Sequence, residues 1–150
     1  MHLLLSLVLA FQIGSDPLLA RFAGPWSGTG TVLNQPSKIS ITWTWELGGQ
    51  FLRLAFRNEM PKSAFEGHAY YRPTGDGRYR GMWFDNSGMF RPLEAHRNGD
   101  ALVSKWGTAD TEEGETTYRL TSDSRMEIVD RVKSKDGTWR EFGRSTVNRD

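Results

Sequence analysis

The stretch FAGPWSGTG, residues 22–30, places Trp26 two residues after Gly24 and then alternates glycine with small hydroxyl residues. Gly28 and Gly30 predict a strand that bends sharply, because glycine lets a strand turn a barrel corner. The stretch therefore predicts the first strand of a strongly curved sheet.

A short helix is predicted just before this strand. The segment SDPLLARFAG offers Ser15 or Asp16 as the N-cap, Pro17 at the first helical position and Gly24 as the stop. The helix would therefore end where the first strand begins.

From residue 25 onward the hydrophobic period is two, and turn residues recur every ten to fourteen positions. This pattern predicts ten consecutive antiparallel strands. They cover Trp26–Leu33, Lys38–Leu47, Gln50–Met60, Ala64–Arg72, Arg78–Asp85, Gly88–His96, Ala101–Gly107, Glu115–Thr121, Arg125–Lys133 and Thr138–Val147.

An open sheet of so many hairpins would leave two long exposed edges, and closure removes both. We predict an all-β, about ten-stranded, antiparallel up-and-down barrel with a short N-terminal helix, forming a single domain over residues 15–150. A barrel of this strand number is wide enough to hold a small ligand.

Composition excludes several functional classes. The 150 residues carry 19 Lys plus Arg against 18 Asp plus Glu, with the signs interleaved, so nothing favours nucleic acid or an anionic membrane as a partner. There is no cysteine, and hence no disulfide, thiolate ligand or cysteine nucleophile. The acidic residues of segment 110–115 lack calcium-binding spacing, and we predict no metal site and no cofactor.

Residues 1–14 contain an apolar run of the length of a signal-peptide core, too short to span a bilayer. Two interpretations stay open. A cleaved signal peptide would make the protein periplasmic or secreted, and an N-terminal helix packed on the domain would leave it cytoplasmic.

Gly24-Pro25-Trp26, after a helix and at the start of the first strand, resembles the Gly-x-Trp signature of the calycin superfamily of lipocalin-like barrels. The resemblance implies that the tryptophan closes one barrel end and that an arginine late in the chain lies across its ring. Because an even strand number makes the first and last strands antiparallel neighbours, we predict Arg144 in this role, with Arg140 as the second choice.

A closer resemblance covers most of the chain. The segments PWSGTG, ITWTWELGGQFLRLAFRNEM and FEGHAYYRPTGDGRYRGMWFDNSG resemble the small bacterial calycin-like barrels grouped as a family of unknown function, and more distantly nitrobindins. These families imply a ten-stranded barrel. Nitrobindins hold haem through a histidine in the late strands, but the only histidines here are His2, His68 and His96, so haem is not implied.

In KISITWTWEL, residues 38–47, the apolar side chains alternate with polar ones, which turns Trp43 and Trp45 inward. Two interpretations stay open: these indoles fill the core, or they form one wall of an apolar cavity.

Around PTGDG, residues 73–77, a register that pairs Tyr71 with Tyr79 sets small residues opposite large ones. The further pairs are Ala69 with Gly81, Gly67 with Trp83 and Phe65 with Asp85. On this interior face Asp85 would be a carboxylate in an aromatic cavity and could orient a polar ligand group. Alternatively, Asp85 hydrogen-bonds the backbone of the turn before Gly88.

The opposite face of this hairpin carries Glu66, His68, Tyr70 and Arg80. If it were the interior face, these residues would form an acid-base cluster with His68 as the titrating group. The alternative is a solvated barrel exterior.

Three hypotheses for function follow. The first is non-enzymatic binding of a small hydrophobic or aromatic molecule by Trp43, Trp45, Tyr71, Trp83 and Asp85. The second is a barrel isomerase or hydrolase that uses Glu66, His68 and Tyr70, or Asp85. The third is a structural module with a filled interior.

Overall fold

The structure is a computed structural model, and it describes residues 16–150. It comprises a helix, α1, and ten strands: α1 Pro17–Phe22, β1 Gly24–Val32, β2 Gln35–Glu46, β3 Phe51–Met60, β4 Ser63–Gly75, β5 Arg78–Asp85, β6 Phe90–Asn98, β7 Ala101–Trp106, β8 Gly114–Ser122, β9 Arg125–Lys133 and β10 Trp139–Arg149. Among these residues no helix is long and apolar enough to cross a membrane.

Every strand pairs antiparallel with the next, and β10 pairs with β1 to close the barrel. The predicted fold class is therefore confirmed, including the strand number and the short helix. The two interpretations of residues 1–14 lie outside the described residues.

Helix α1 covers one end of the barrel, which we call the capped end. The Asp16 carboxylate caps the helix by accepting hydrogen bonds from the amides of Leu18 and Leu19, at 3.1 and 2.9 Å. Leu18, Leu19 and Phe22 are buried in the core. At the other end, the open end, the chain reverses between β1 and β2, β3 and β4, β5 and β6, β7 and β8, and β9 and β10.

Trp26 closes the capped end together with a different arginine from the one predicted. The indole is buried, and its Nε1 donates to the Phe22 carbonyl at 2.8 Å. The guanidinium of Arg149 lies over the ring, 4.2 Å from its centroid, and donates to the carbonyls of Ala23 and Arg21 at 2.7 and 2.6 Å. The predicted pairing of a late arginine with Trp26 is thus present, through Arg149.

The assignment of this role to Arg144, or to Arg140 as second choice, was wrong. Arg144 pairs with Thr31, five residues along β1 from Trp26, and lies on the outer face, where it forms ion pairs with Glu127 and Glu141. The physical reason is the length of β10: it continues past Val147 to Arg149, so the strand end that reaches Trp26 lies further along the chain.

The predicted register of the β4–β5 hairpin was wrong by two residues. Tyr71 lies opposite Gly81, because β4 continues to Gly75 and the chain reverses at residues 76–77, both of which have positive φ. Such a pair favours the two-residue turn of a tight hairpin. A shift of two residues preserves the face, and both Tyr71 and Tyr79 point inward and are buried.

Candidate functional site

A cavity of about 310 Å³ lies inside the barrel, toward the open end. Its walls come from the inward faces of β3 to β10, from Val32 at the end of β1, and from the β5–β6 and β7–β8 loops. The aromatic lining consists of Phe56, Phe65, Tyr71, Trp83, Trp106, Tyr118 and Phe142. The charged and amide-bearing lining consists of Asp85, Arg91, Glu112, Asp130 and Asn58.

One wall is a cluster of three rings around Trp83. The Phe65 ring stacks with Trp83 at a centroid distance of 6.1 Å, and Phe56 meets Trp83 edge-on at the same distance. Gly67 makes room for the indole, because a Cβ at this position would collide with the Trp83 ring. This wall is half-buried and presents aromatic surface to the cavity.

Arg91 and Trp106 form a second wall. The guanidinium of Arg91 lies 5.3 Å from the Trp106 ring centroid and donates to the Glu112 carbonyl at 2.8 Å. The Glu112 carboxylate is 4.0 Å from the same guanidinium. The positive charge of Arg91 is therefore already balanced by Glu112 and by the indole face.

Asp85 is an ionised carboxylate that organises the β5–β6 loop. It accepts hydrogen bonds from Trp83 Nε1 at 3.0 Å, from the Ser87 amide at 2.9 Å and hydroxyl, and from the Met89 amide at 3.4 Å. Burial raises the pKa of Asp85, but these hydrogen bonds outweigh burial and hold the pKa below its ordinary value. Asp85 thus fixes the Trp83 indole and the loop beside it.

Asp130, on β9, differs from Asp85 in having few hydrogen-bond donors and a raised pKa. Its single hydrogen-bond donor among residues 16–150 is the Thr116 hydroxyl, at 2.7 Å from Oδ1. Burial raises the pKa of Asp130 to about 6, and the Thr116 hydrogen bond and the nearby Glu141 carboxylate act in opposite directions on it. The group therefore titrates near neutral pH.

Three further polar side chains lie in the lining. Tyr71 and Ser104 share a hydrogen bond of 2.8 Å between their hydroxyl oxygens. Burial raises the pKa of both Tyr71 and Tyr118 well above the ordinary value, so both phenols are neutral. Asn58 is 3% exposed, and its Oδ1 has no hydrogen-bond partner within the described part of the chain.

The structure places three of the five predicted ligand-binding residues on the cavity wall: Tyr71, Trp83 and Asp85. It places the other two elsewhere. Trp43 points inward as predicted, but it packs between Phe22 and Tyr118, at centroid distances of 5.1 Å to each, and lies outside the cavity lining. Trp45 is half-buried against the same core and also lies outside the cavity lining. Both indoles follow the core-filling interpretation.

The predicted alternative of an acid-base cluster does not form. Glu66, His68 and Arg80 are exposed on the outer face of the barrel, and Tyr70 is half-buried there. Glu66 forms an ion pair with Arg57, an exterior contact between adjacent strands. These residues are the solvated exterior of the hairpin.

Sequence reasoning missed Arg91, Trp106, Asp130 and Asn58. A signal was present for Asp130, since MEIVD puts it in alternation with the inward Met126 and Ile128. The same alternation places Arg91 with Leu93 on the inward face of β6. A charged residue in an inward position was the detectable sign of a site.

No family model matches this sequence, and no curated protein does. Solved structures match the fold. Rv2717c from M. tuberculosis has a TM-score of 0.69 and 12% identity over 89% of this chain and 98% of its own. The S-type phycobiliprotein lyase CPES from Guillardia theta has a TM-score of 0.62 and 11% identity over 88% and 90%. A redesigned β-barrel, mFAP1, bound to DFHBI, has a TM-score of 0.51 and 11% identity over 88% and 98%.

These similarities show the fold, a closed ten-stranded antiparallel barrel, and in this chain that barrel encloses the cavity described above.

Proposed function

We propose that this protein binds one small, ring-containing molecule inside its barrel, without covalent chemistry. The observation that carries the proposal is the cavity of about 310 Å³ lined by seven aromatic side chains and a few polar groups. Pockets of roughly 300 to 1,000 Å³ with mostly apolar walls and few polar groups are typical of small-molecule sites. The size suits a molecule of two or three fused rings.

Two features support binding over a filled structural module. The capped end shows that this chain can pack aromatic rings densely, since Trp26, Trp43 and Phe22 are each 1% exposed or less. The rings of the open end, by contrast, border open space, although a filled core would stabilise the fold by dispersion contacts. A redesigned barrel of the same fold is bound to DFHBI, which supports a small-molecule occupant for this barrel as well.

The test is a titration of the full-length protein with bicyclic aromatic probes: 2-methylnaphthalene, 2-naphthoate and protonated 2-naphthylmethylamine. We expect at least one probe to raise the melting temperature with concentration and to change tryptophan fluorescence, because binding to the folded state alone stabilises it. Native mass spectrometry should show one probe molecule per chain.

Leu93→Trp, which adds an indole at an inward, cavity-lining position, should abolish these shifts. Ser40→Trp, which adds the same ring on the exposed outer face of β2, should preserve them. The proposal fails if no probe shifts the melting temperature, or if the two variants respond alike.

A further inference from the structure

The charges that line the cavity do not balance. Among the described residues, three carboxylates line the cavity, those of Asp85, Glu112 and Asp130, and one guanidinium does, that of Arg91. Arg91 is matched by Glu112, and Asp85 is satisfied by the hydrogen bonds of its own loop and of Trp83. The remaining unmatched charge belongs to Asp130.

Asp130 lacks a cation on every side that the structure describes. Thr116 and Tyr118 face it from β8, and Glu141 is the nearby charge from β10. Within residues 16–150, no Lys, Arg or His forms an ion pair with it. Its Oδ2 lies beside Gly143, where there is no side chain to donate. Asp130 is half-buried, and a carboxylate withdrawn from water normally has such a partner, because its desolvation is otherwise unfavourable.

Asn58 supplies an independent second observation. Its buried Oδ1 lacks a hydrogen-bond donor among the described residues, and the side chain lines the same cavity. Asn58 is on β3, and three strands separate it from β9 in the closed sheet, so the two groups occupy distant parts of the wall. Among the described residues, the cavity therefore has two acceptors with unused capacity for hydrogen bonds: the Asp130 carboxylate and Asn58 Oδ1.

The ring walls suit the same ligand. Aromatic faces attract cations through their quadrupoles, and this attraction strengthens where water is excluded. Trp106 already holds the Arg91 guanidinium in this way, and the Trp83 cluster offers further ring surface.

We propose that the cavity selects an aromatic cation: a fused-ring molecule whose rings contact the Trp83 cluster and whose protonated nitrogen donates to Asp130, with Asn58 accepting from a further N–H group. This inference rests on the proposed binding function and specifies the chemical class of the ligand. The occupant supplies the positive charge that no described residue of the barrel places beside Asp130.

The inference predicts a dependence of binding on pH. Asp130 in the free protein has a pKa of about 6, and only its ionised form pairs with a cation. The other charged groups that line the cavity already have partners: Arg91 pairs with Glu112, and Asp85 accepts hydrogen bonds from its own loop. Affinity for a ligand that stays protonated should therefore fall about tenfold between about pH 7.5 and about pH 5.

The experiment is calorimetric titration of the full chain with 2-naphthylmethylamine, 2-methylnaphthalene and 2-naphthoate, which share one ring system. At about pH 7.5 the protonated amine should bind at least about tenfold more tightly than either of the others. Asp130→Asn keeps an acceptor for the Thr116 hydroxyl and should weaken amine binding roughly 10- to 100-fold, while 2-methylnaphthalene changes less than about twofold.

Glu94→Gln is the control, because it removes an equal charge from the exposed outer face and should leave all three affinities unchanged. If 2-naphthoate or 2-methylnaphthalene matches the amine, or if Asp130→Asn leaves amine affinity unchanged, the selectivity is overturned while the binding function stands. If none of the three binds, the proposed function fails with it. The pH profile of the unaltered protein is a second measurement that does not depend on folding of the variant.

Discussion

The two ends of this barrel use the same kinds of residue, but the capped end is densely packed and the open end surrounds a cavity. At the capped end, α1 buries Leu19 and Phe22, Trp26 donates to a helix carbonyl, and Arg149 lies over the indole. At the open end, Trp83 and Trp106 border a cavity in which Asp130 has one hydrogen-bond donor. Close packing of side chains stabilises the capped end, whereas the rings at the open end lack some of the dispersion contacts that a filled core would give them. The contrast is therefore between a densely packed end and an end whose rings border open space.

The largest expected effect comes from the capped end. Trp26→Ala removes a buried ring and should lower the free energy of unfolding by about 3 to 5 kcal/mol, measured by chemical denaturation. The matched change at the open end, Trp139→Ala, removes an indole that is 41% exposed and should lower it by less than about 1 kcal/mol. Equal losses would contradict the contrast between the ends.

Arg149→Met should cause the second-largest loss in the free energy of unfolding. It removes a cation from the Trp26 ring and leaves the carbonyls of Ala23 and Arg21 without a charged donor. The expected loss in unfolding free energy is about 1.5 to 3 kcal/mol. Arg144→Met, which removes an exterior, half-exposed ion-pair partner, should lose less than about 1 kcal/mol. The order of the two losses decides which arginine closes the barrel.

At the open end a substitution should stabilise the protein. The pKa of Asp130 is raised from 3.8 to about 6, so the folded state holds this proton more tightly than the unfolded chain. Stability contributed by this group is therefore present at low pH and is lost as pH rises from about 4 through about 6. Asp130→Asn should raise the free energy of unfolding by roughly 1 to 2.5 kcal/mol at about pH 7.5.

Near pH 4 this gain should vanish, because the carboxyl is then mostly protonated in the folded protein. Denaturation curves at the two pH values measure the difference. A variant less stable than the parent at about pH 7.5 would show that Asp130 is matched by a cation in the folded protein.

The smallest effect is expected on the outer wall between the two ends. His68→Gln alters an exposed side chain and should change neither the free energy of unfolding, beyond about 0.5 kcal/mol, nor probe binding. A loss of probe affinity in this variant would place the functional site on the outer face and would support the alternative of an acid-base site around His68.

Most of the architecture was predictable from local patterns. The alternation in KISITWTWEL turned Trp43 inward, Pro17 and Asp16 marked the helix start, and the turn spacing predicted ten strands. Of the site, sequence predicted that Tyr71, Trp83 and Asp85 face inward, and all three line the cavity. The two-residue period placed these residues on one face, and that grouping survived a register error of two residues, but only the barrel shows that this face is the interior one.

Local patterns are therefore enough to predict the set of elements and which residues of a strand share a face, because hydrophobic period and turn chemistry act over a few neighbouring residues. The rest emerges only in the folded barrel: which arginine reaches Trp26, which face of the β4–β5 hairpin is interior, which indoles fill the core and which border the cavity, and that Asp130 has no cationic partner among residues 16–150. These depend on strand lengths, bulges and the stagger of the closed sheet, which bring together residues such as Trp26 and Arg149 from opposite ends of the described chain.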